Sequence, residues 1–140
     1  MGLAVPHLRA QGGGVIINVS SDAGEMVDHR FSGRPDDSPG NPLGAMLGYA
    51  STKAALNRLT NALAPDLARD NIAAICVDPG FTRTELVDLM GARGLVDPEG
   101  AHSMDLPVET ILDLITAENP LVRSGQVIHV GSPAGRAAGH

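Results

Sequence analysis

The chain's only tyrosine, Tyr49, stands four residues before its only lysine, Lys53. On a helix, four residues turn by about 400°, which brings both side chains to one face. A phenol with a cation in reach ionises more readily and can exchange a proton with a substrate oxygen. A neighbouring hydroxyl would hold that oxygen, and Ser20 and Ser21 end an apolar run just upstream. Asp78-Pro79-Gly80 ends a second such run. In an open parallel sheet, ligands bind at the carboxyl ends of the strands, and both serines and the Asp-Pro-Gly turn fall there.

The elements that must position these residues follow from pattern. Residues 3–10 suit a helix closed by Gly12-Gly13-Gly14. Residues 15–20 are β-branched and almost continuously apolar, which predicts a strand covered on both faces. Residues 25–48 read as an inserted loop rich in Pro, Gly, Ser and Asp. Residues 49–70 read as a helix that Pro65 should kink or divide near Ala64. A second buried-type strand is expected over 72–77, a helix over 84–92, and a loop up to Leu106. A helix opening at Pro107 and a third short strand over 125–130 follow, and 131–140 reads as a flexible tail. Alternation of strand and helix predicts an α/β fold, a partial doubly wound parallel sheet of about three strands with flanking helices. The first strand's outer edge has no evident partner within 1–140, so the chain reads as a single partial domain that self-associates.

Composition excludes several classes. Ten Lys and Arg against 16 Asp and Glu give a net charge of −6, which disfavours nucleic acid or an anionic membrane as partner. The apolar stretches are too short to span a bilayer. One cysteine, Cys76, cannot form an internal disulfide, so a reducing, cytoplasmic setting is expected. Cys76 reads as a small buried hydrophobe, and the five histidines show no metal-ligand spacing. No Gly-x-Ser-x-Gly elbow surrounds Ser21, which argues against a serine hydrolase.

Three segments carry a resemblance. Asn18-Val19-Ser20-Ser21-Asp22-Ala23-Gly24, Tyr49-Ala50-Ser51-Thr52-Lys53-Ala54-Ala55 and Asp78-Pro79-Gly80-Phe81-Thr82-Arg83-Thr84 resemble, in order, three signatures of the short-chain dehydrogenase/reductase family. The resemblance implies a Rossmann-like fold and hydride transfer between NAD or NADP and a small carbonyl or alcohol substrate. Ser21, three before Gly24, would bind the substrate oxygen, with Ser20 as the alternative. Tyr49 would be the general acid in reduction and the general base in oxidation. Lys53 would bind the nicotinamide ribose and assist Tyr49. Pro79 and Gly80 would shape the turn under the nicotinamide. The Thr82 backbone and the Thr84 side chain would contact its carboxamide or the pyrophosphate. Association as a homo-oligomer through the helices at 3–10 and 49–70 is also implied.

Against the family pattern, no glycine-rich strand-to-helix turn is seen, because Gly12-Gly13-Gly14 precedes a strand rather than following one. The chain is therefore expected to be the C-terminal catalytic half, lacking the N-terminal nucleotide-binding half and inactive when isolated. The alternative is a truncated, non-catalytic remnant or an interaction subunit that cannot bind a dinucleotide alone. The gap between Ser21 and Tyr49 is wider than the family's usual spacing. It reads as an exposed insertion or as a flap over the substrate.

Overall fold

The computed structural model describes residues 3–25 and 43–131, with the side chains of 43–46 set aside. Three parallel strands lie in the order β1, β2, β3, with β1 at Gly14–Val19, β2 at Ile72–Asp78 and β3 at Val127–His129. Helix α1 spans Val5–Ala10, α2 Leu43–Ala68, α3 Glu85–Ala92 and α4 Asp105–Thr116. The α/β class and the three-stranded parallel sheet match the sequence expectation. No helix among the described residues is long and apolar enough to cross a membrane.

The central strand organises the packing. Every residue of β2 is buried, and Ile72 through Val77 have no exposed surface. Successive side chains of a strand point to opposite faces, so Ile72 and Ala74 look one way and Ala73, Ile75 and Val77 the other. The first pair packs with Leu67 and Leu63 of α2, Val5 and Leu8 of α1, and Ile16 of β1. The second set packs with Leu114 and Ile111 of α4, and with Ile128, Leu121, Val15 and Ile17. Helices thus cover both faces of β2, the arrangement a doubly wound sheet requires.

Three expectations need correction. Helix α2 begins at Leu43, six residues before Tyr49 and inside the segment 25–48 expected as an inserted loop. Ala45, Met46 and Leu47 are good helix formers and outweigh Gly44 and Gly48. The rest of that expected loop, 26–42, lies outside the described residues, as does 132–140 of the expected tail. Pro65 does not divide α2, which runs on to Ala68. Its flanking residues Ala64 and Leu67 are buried and hold that turn in place, and only one turn of helix follows the proline. Strand β1, expected to be covered on both faces, is only half-buried, and Val19 is exposed. It is the outermost strand among the described residues: Ile16 packs on one face and Val15 and Ile17 on the other, but its outer edge has no strand beside it.

Two local features place the site elements. Asn71 adopts a left-handed φ of 57° between α2 and β2, a conformation asparagine tolerates, and its side-chain amide donates to Gly12 O at 3.0 Å. After β1, the short turn Asp22–Gly24 lies directly on α2. A Cβ on Gly24 would stand 2.7 Å from the Lys53 carbonyl carbon and 2.9 Å from Ala54 N, so only glycine permits that approach.

Two substitutions test this packing. Ile75→Ala removes a fully buried side chain from the central strand and is expected to cost about 2–5 kcal/mol in urea unfolding, whereas Leu59→Ala, on an exposed position of α2, changes the midpoint little. Gly24→Ala is expected to cost about 1–3 kcal/mol, because backbone atoms of α2 rather than a flexible side chain stand in the way. An unchanged unfolding midpoint for Gly24→Ala would show that the turn does not depend on this contact.

Candidate active site

The carboxyl ends of all three strands lie together, since Val19 pairs in register with Val77 and Asp78 with His129. Helix α2 runs beside this edge and presents Tyr49 and Lys53 on one face. The Lys53 Nζ donates to the Val19 carbonyl at 2.8 Å and stands 5.5 Å from the centre of the Tyr49 ring. Val19 is two residues before Ser21, so this bond fixes the tyrosine–lysine face next to the serine turn. Tyr49 is 44% exposed, which leaves its ring accessible to a small molecule.

The two serines differ in their surroundings. Ser20 is buried, and its hydroxyl donates to Asn57 Oδ1 on α2. Ser21 is half-buried, accepts from Ala23 N at 3.2 Å as the cap of the short turn, and donates to Asp22 Oδ1 at 3.1 Å. That last bond is exposed, so turning the Ser21 hydroxyl toward another acceptor costs little. The Ser20 alternative loses ground, because its hydroxyl faces the interior. Asn57 Nδ2 is buried with no hydrogen-bond partner among the described residues.

After β2, Gly80 takes a φ of +65°, and its N–H donates to Asp78 Oδ1 at 3.0 Å. A Cβ there would meet His102 Nε2 at 2.9 Å. The Thr82 side chain is turned inward and donates to Pro79 O at 2.8 Å, so its hydroxyl proton is already engaged. Thr84 caps α3, its Oγ1 accepting from Val87 N at 3.3 Å. A hydroxyl that accepts one hydrogen bond still has its proton to donate. The structure therefore brings Ser21, Tyr49, Lys53, Pro79 and Gly80 to the strand ends, with Thr82 and Thr84 just beyond on the way into α3.

Buried beneath α2, the Cys76 thiol donates to Thr60 Oγ1 at 3.3 Å, and burial pushes its pKa up despite that bond. A raised pKa disfavours the thiolate, which suits a packing role.

One cluster escaped the sequence reading. His129 Nδ1 lies 2.9 Å from Asp78 Oδ2, and its Nε2 lies 2.8 Å from Glu25 Oε2. Hydrogen bonding to Asp78 holds the imidazole above its ordinary pKa, burial opposes it, and the Glu25 charge adds to the rise. The only signal in the sequence is that Asp78 follows the strand expected over 72–77 and His129 lies near the end of the one expected over 125–130. Pairing them needs the register, which no spacing reveals.

A family model described as short chain dehydrogenase matches residues 38–93, which include Tyr49, Lys53 and the Asp78–Thr84 signature. A tropinone reductase homolog of Arabidopsis thaliana is 32% identical over 130 residues, covering 93% of this chain and 38% of that protein. Among solved structures, a 7 alpha-hydroxysteroid dehydrogenase complexed with NADH and 7-oxo glycochenodeoxycholic acid has a TM-score of 0.64 at 25% identity, covering 92% of this chain and 47% of that one. A gluconate 5-dehydrogenase from Burkholderia cenocepacia, in complex with NADP and tartrate, has a TM-score of 0.63 at 27% identity, covering 89% and 46%. The chain thus spans less than half the length of each of these proteins. Over the matched residues the chain is thus similar to proteins of the short-chain dehydrogenase/reductase family.

Proposed function

We propose that this chain carries the acid–base side of a nicotinamide-dependent oxidoreductase, acting on a small carbonyl or alcohol substrate. The observation that carries the reading is the Lys53–Val19 bond, which holds the tyrosine–lysine face of α2 beside the serine turn. Solved relatives with NADH or NADP bound support a nicotinamide cofactor, without choosing between the two.

The residues at the strand ends suit such a cofactor. An ammonium has three N–H donors, and Val19 takes one of those of Lys53, leaving the others for ribose hydroxyls. Gly80 keeps side-chain bulk away from the turn, and the Thr84 hydroxyl retains a proton for a carboxamide or phosphate oxygen. When bound, the nicotinamide supplies the hydride to a carbonyl carbon or takes it from an alcohol. The chain's own residues handle the proton. Tyr49 donates it to the carbonyl oxygen in reduction and removes it from the alcohol in oxidation. Ser21 leaves Asp22 to donate to the same oxygen.

The coverage figures favour a second statement within this reading. The chain corresponds to about half of the solved dehydrogenases, so we propose that it supplies the catalytic half of the family's sheet and that binding of a whole dinucleotide draws on further residues. The half-buried edge strand β1 is the place where such residues, or a second copy of this chain in a homo-oligomer, would pair. A non-catalytic remnant or interaction subunit is the competing outcome.

In a preparation that turns over, Tyr49→Phe is expected to lower kcat by about 10²–10⁴-fold while leaving nucleotide affinity nearly unchanged, because only the transferable proton is lost. Unchanged turnover would overturn the assignment of Tyr49.

A further inference from the structure

The Glu25–His129–Asp78 cluster lies at the strand ends but takes no part in the proton transfer proposed above. Its geometry constrains its charge. Both ring nitrogens of His129 face carboxylate oxygens at hydrogen-bond distance, 2.9 Å to Asp78 and 2.8 Å to Glu25. An ionised carboxylate only accepts, and a neutral imidazole carries one N–H. Both contacts are hydrogen bonds at once only when the ring carries two protons.

The two partners are unequal. The Asp78 side chain is 8% exposed, and its other oxygen accepts from Gly80 N at 3.0 Å, so it belongs to the Pro-Gly turn. The Glu25 side chain is 43% exposed and follows directly on the turn that Ser21 caps; Glu25 N donates to Asp22 O at 2.9 Å. A buried carboxylate that loses its donor costs more than an exposed one, which water serves instead. A ring with a single proton therefore keeps it toward Asp78.

We propose that His129 is a positioning residue: as an imidazolium it clamps the serine turn, through Glu25, to the Asp78-Pro79-Gly80 turn, and loss of one ring proton releases the Glu25 side. The clamp follows from the geometry alone; its bearing on catalysis rests on the assignment of Ser21 proposed above. Among the described residues, the charged groups acting on the ring are Asp78 of β2 and Glu25 after the serine turn. They raise its pKa on folding. The stabilisation is thus fully present below about pH 6.5 and fades as pH rises through the folded value.

The test is an NMR pH titration of the chain without cofactor, following the His129 ring and the amides of Ala23 and Gly80. The clamp predicts a His129 midpoint above 6.5, with both amides shifting at that same midpoint. In Glu25→Ala, an exposed change that should leave the fold intact, the midpoint falls and Ala23 no longer follows it, while Gly80 still does. An Ala23 amide that ignores the His129 titration, or a midpoint unmoved by Glu25→Ala, overturns the proposal. Because no nucleotide is present, failure of the oxidoreductase reading leaves these results unaffected, and failure of the clamp leaves Tyr49→Phe to be judged separately.

Discussion

The complete burial of β2 is the constraint on which the rest depends. A strand with helices on both faces has no freedom to slip, because a shift of one residue would turn Ile75 and Val77 from the α4 side to the α2 side. That fixed register sets Val19, Asp78 and His129 at the same edge. It also fixes where α2 lies, since Leu63 and Leu67 must cover Ile72 and Ala74. The tyrosine–lysine face of α2 is therefore positioned by apolar packing more than a full helical turn away from Lys53.

At the edge itself, polar contacts finish what packing begins. Lys53 uses one donor to hold the end of β1, and Gly24 lets the serine turn rest on the backbone at Lys53 and Ala54. Ser20 and Asn57 close the interior beneath it, which turns the next residue, Ser21, away from the core. Asp78 shapes the Pro-Gly turn through Gly80 and meets His129 with its second oxygen. Apart from the local Asp78–Gly80 bond, these contacts join two strand ends or tie a strand end to α2.

Much of this was legible in the residues. The apolar run of β2 was readable because full burial on both faces removes the alternation that half-exposed strands show. The spacing of Tyr49 and Lys53 foretold a shared helical face. What stayed hidden has physical causes. Gly44 and Gly48 masked the first turns of α2, although Ala45, Met46 and Leu47 between them are good helix formers. The persistence of α2 through Pro65 depends on burial of Ala64 and Leu67, which no local rule contains. The Glu25–His129–Asp78 cluster joins residues far apart in sequence through register alone.

The central claim is that the strand-end rim, with Lys53, Tyr49 and the turn from Pro79 to Thr82, receives the nicotinamide end of a dinucleotide. Reduced nicotinamide mononucleotide tests it most directly, because this probe lacks the adenosine half and needs only the rim. It would be titrated into the chain while amide and side-chain NMR shifts are followed. The account predicts saturable shifts at Lys53, Tyr49, Gly80 and Thr82, with α1 and the outer face of α4 unmoved. Saturable binding that shifts residues elsewhere and leaves the rim unchanged, or no shift at millimolar probe in a folded sample, would contradict it.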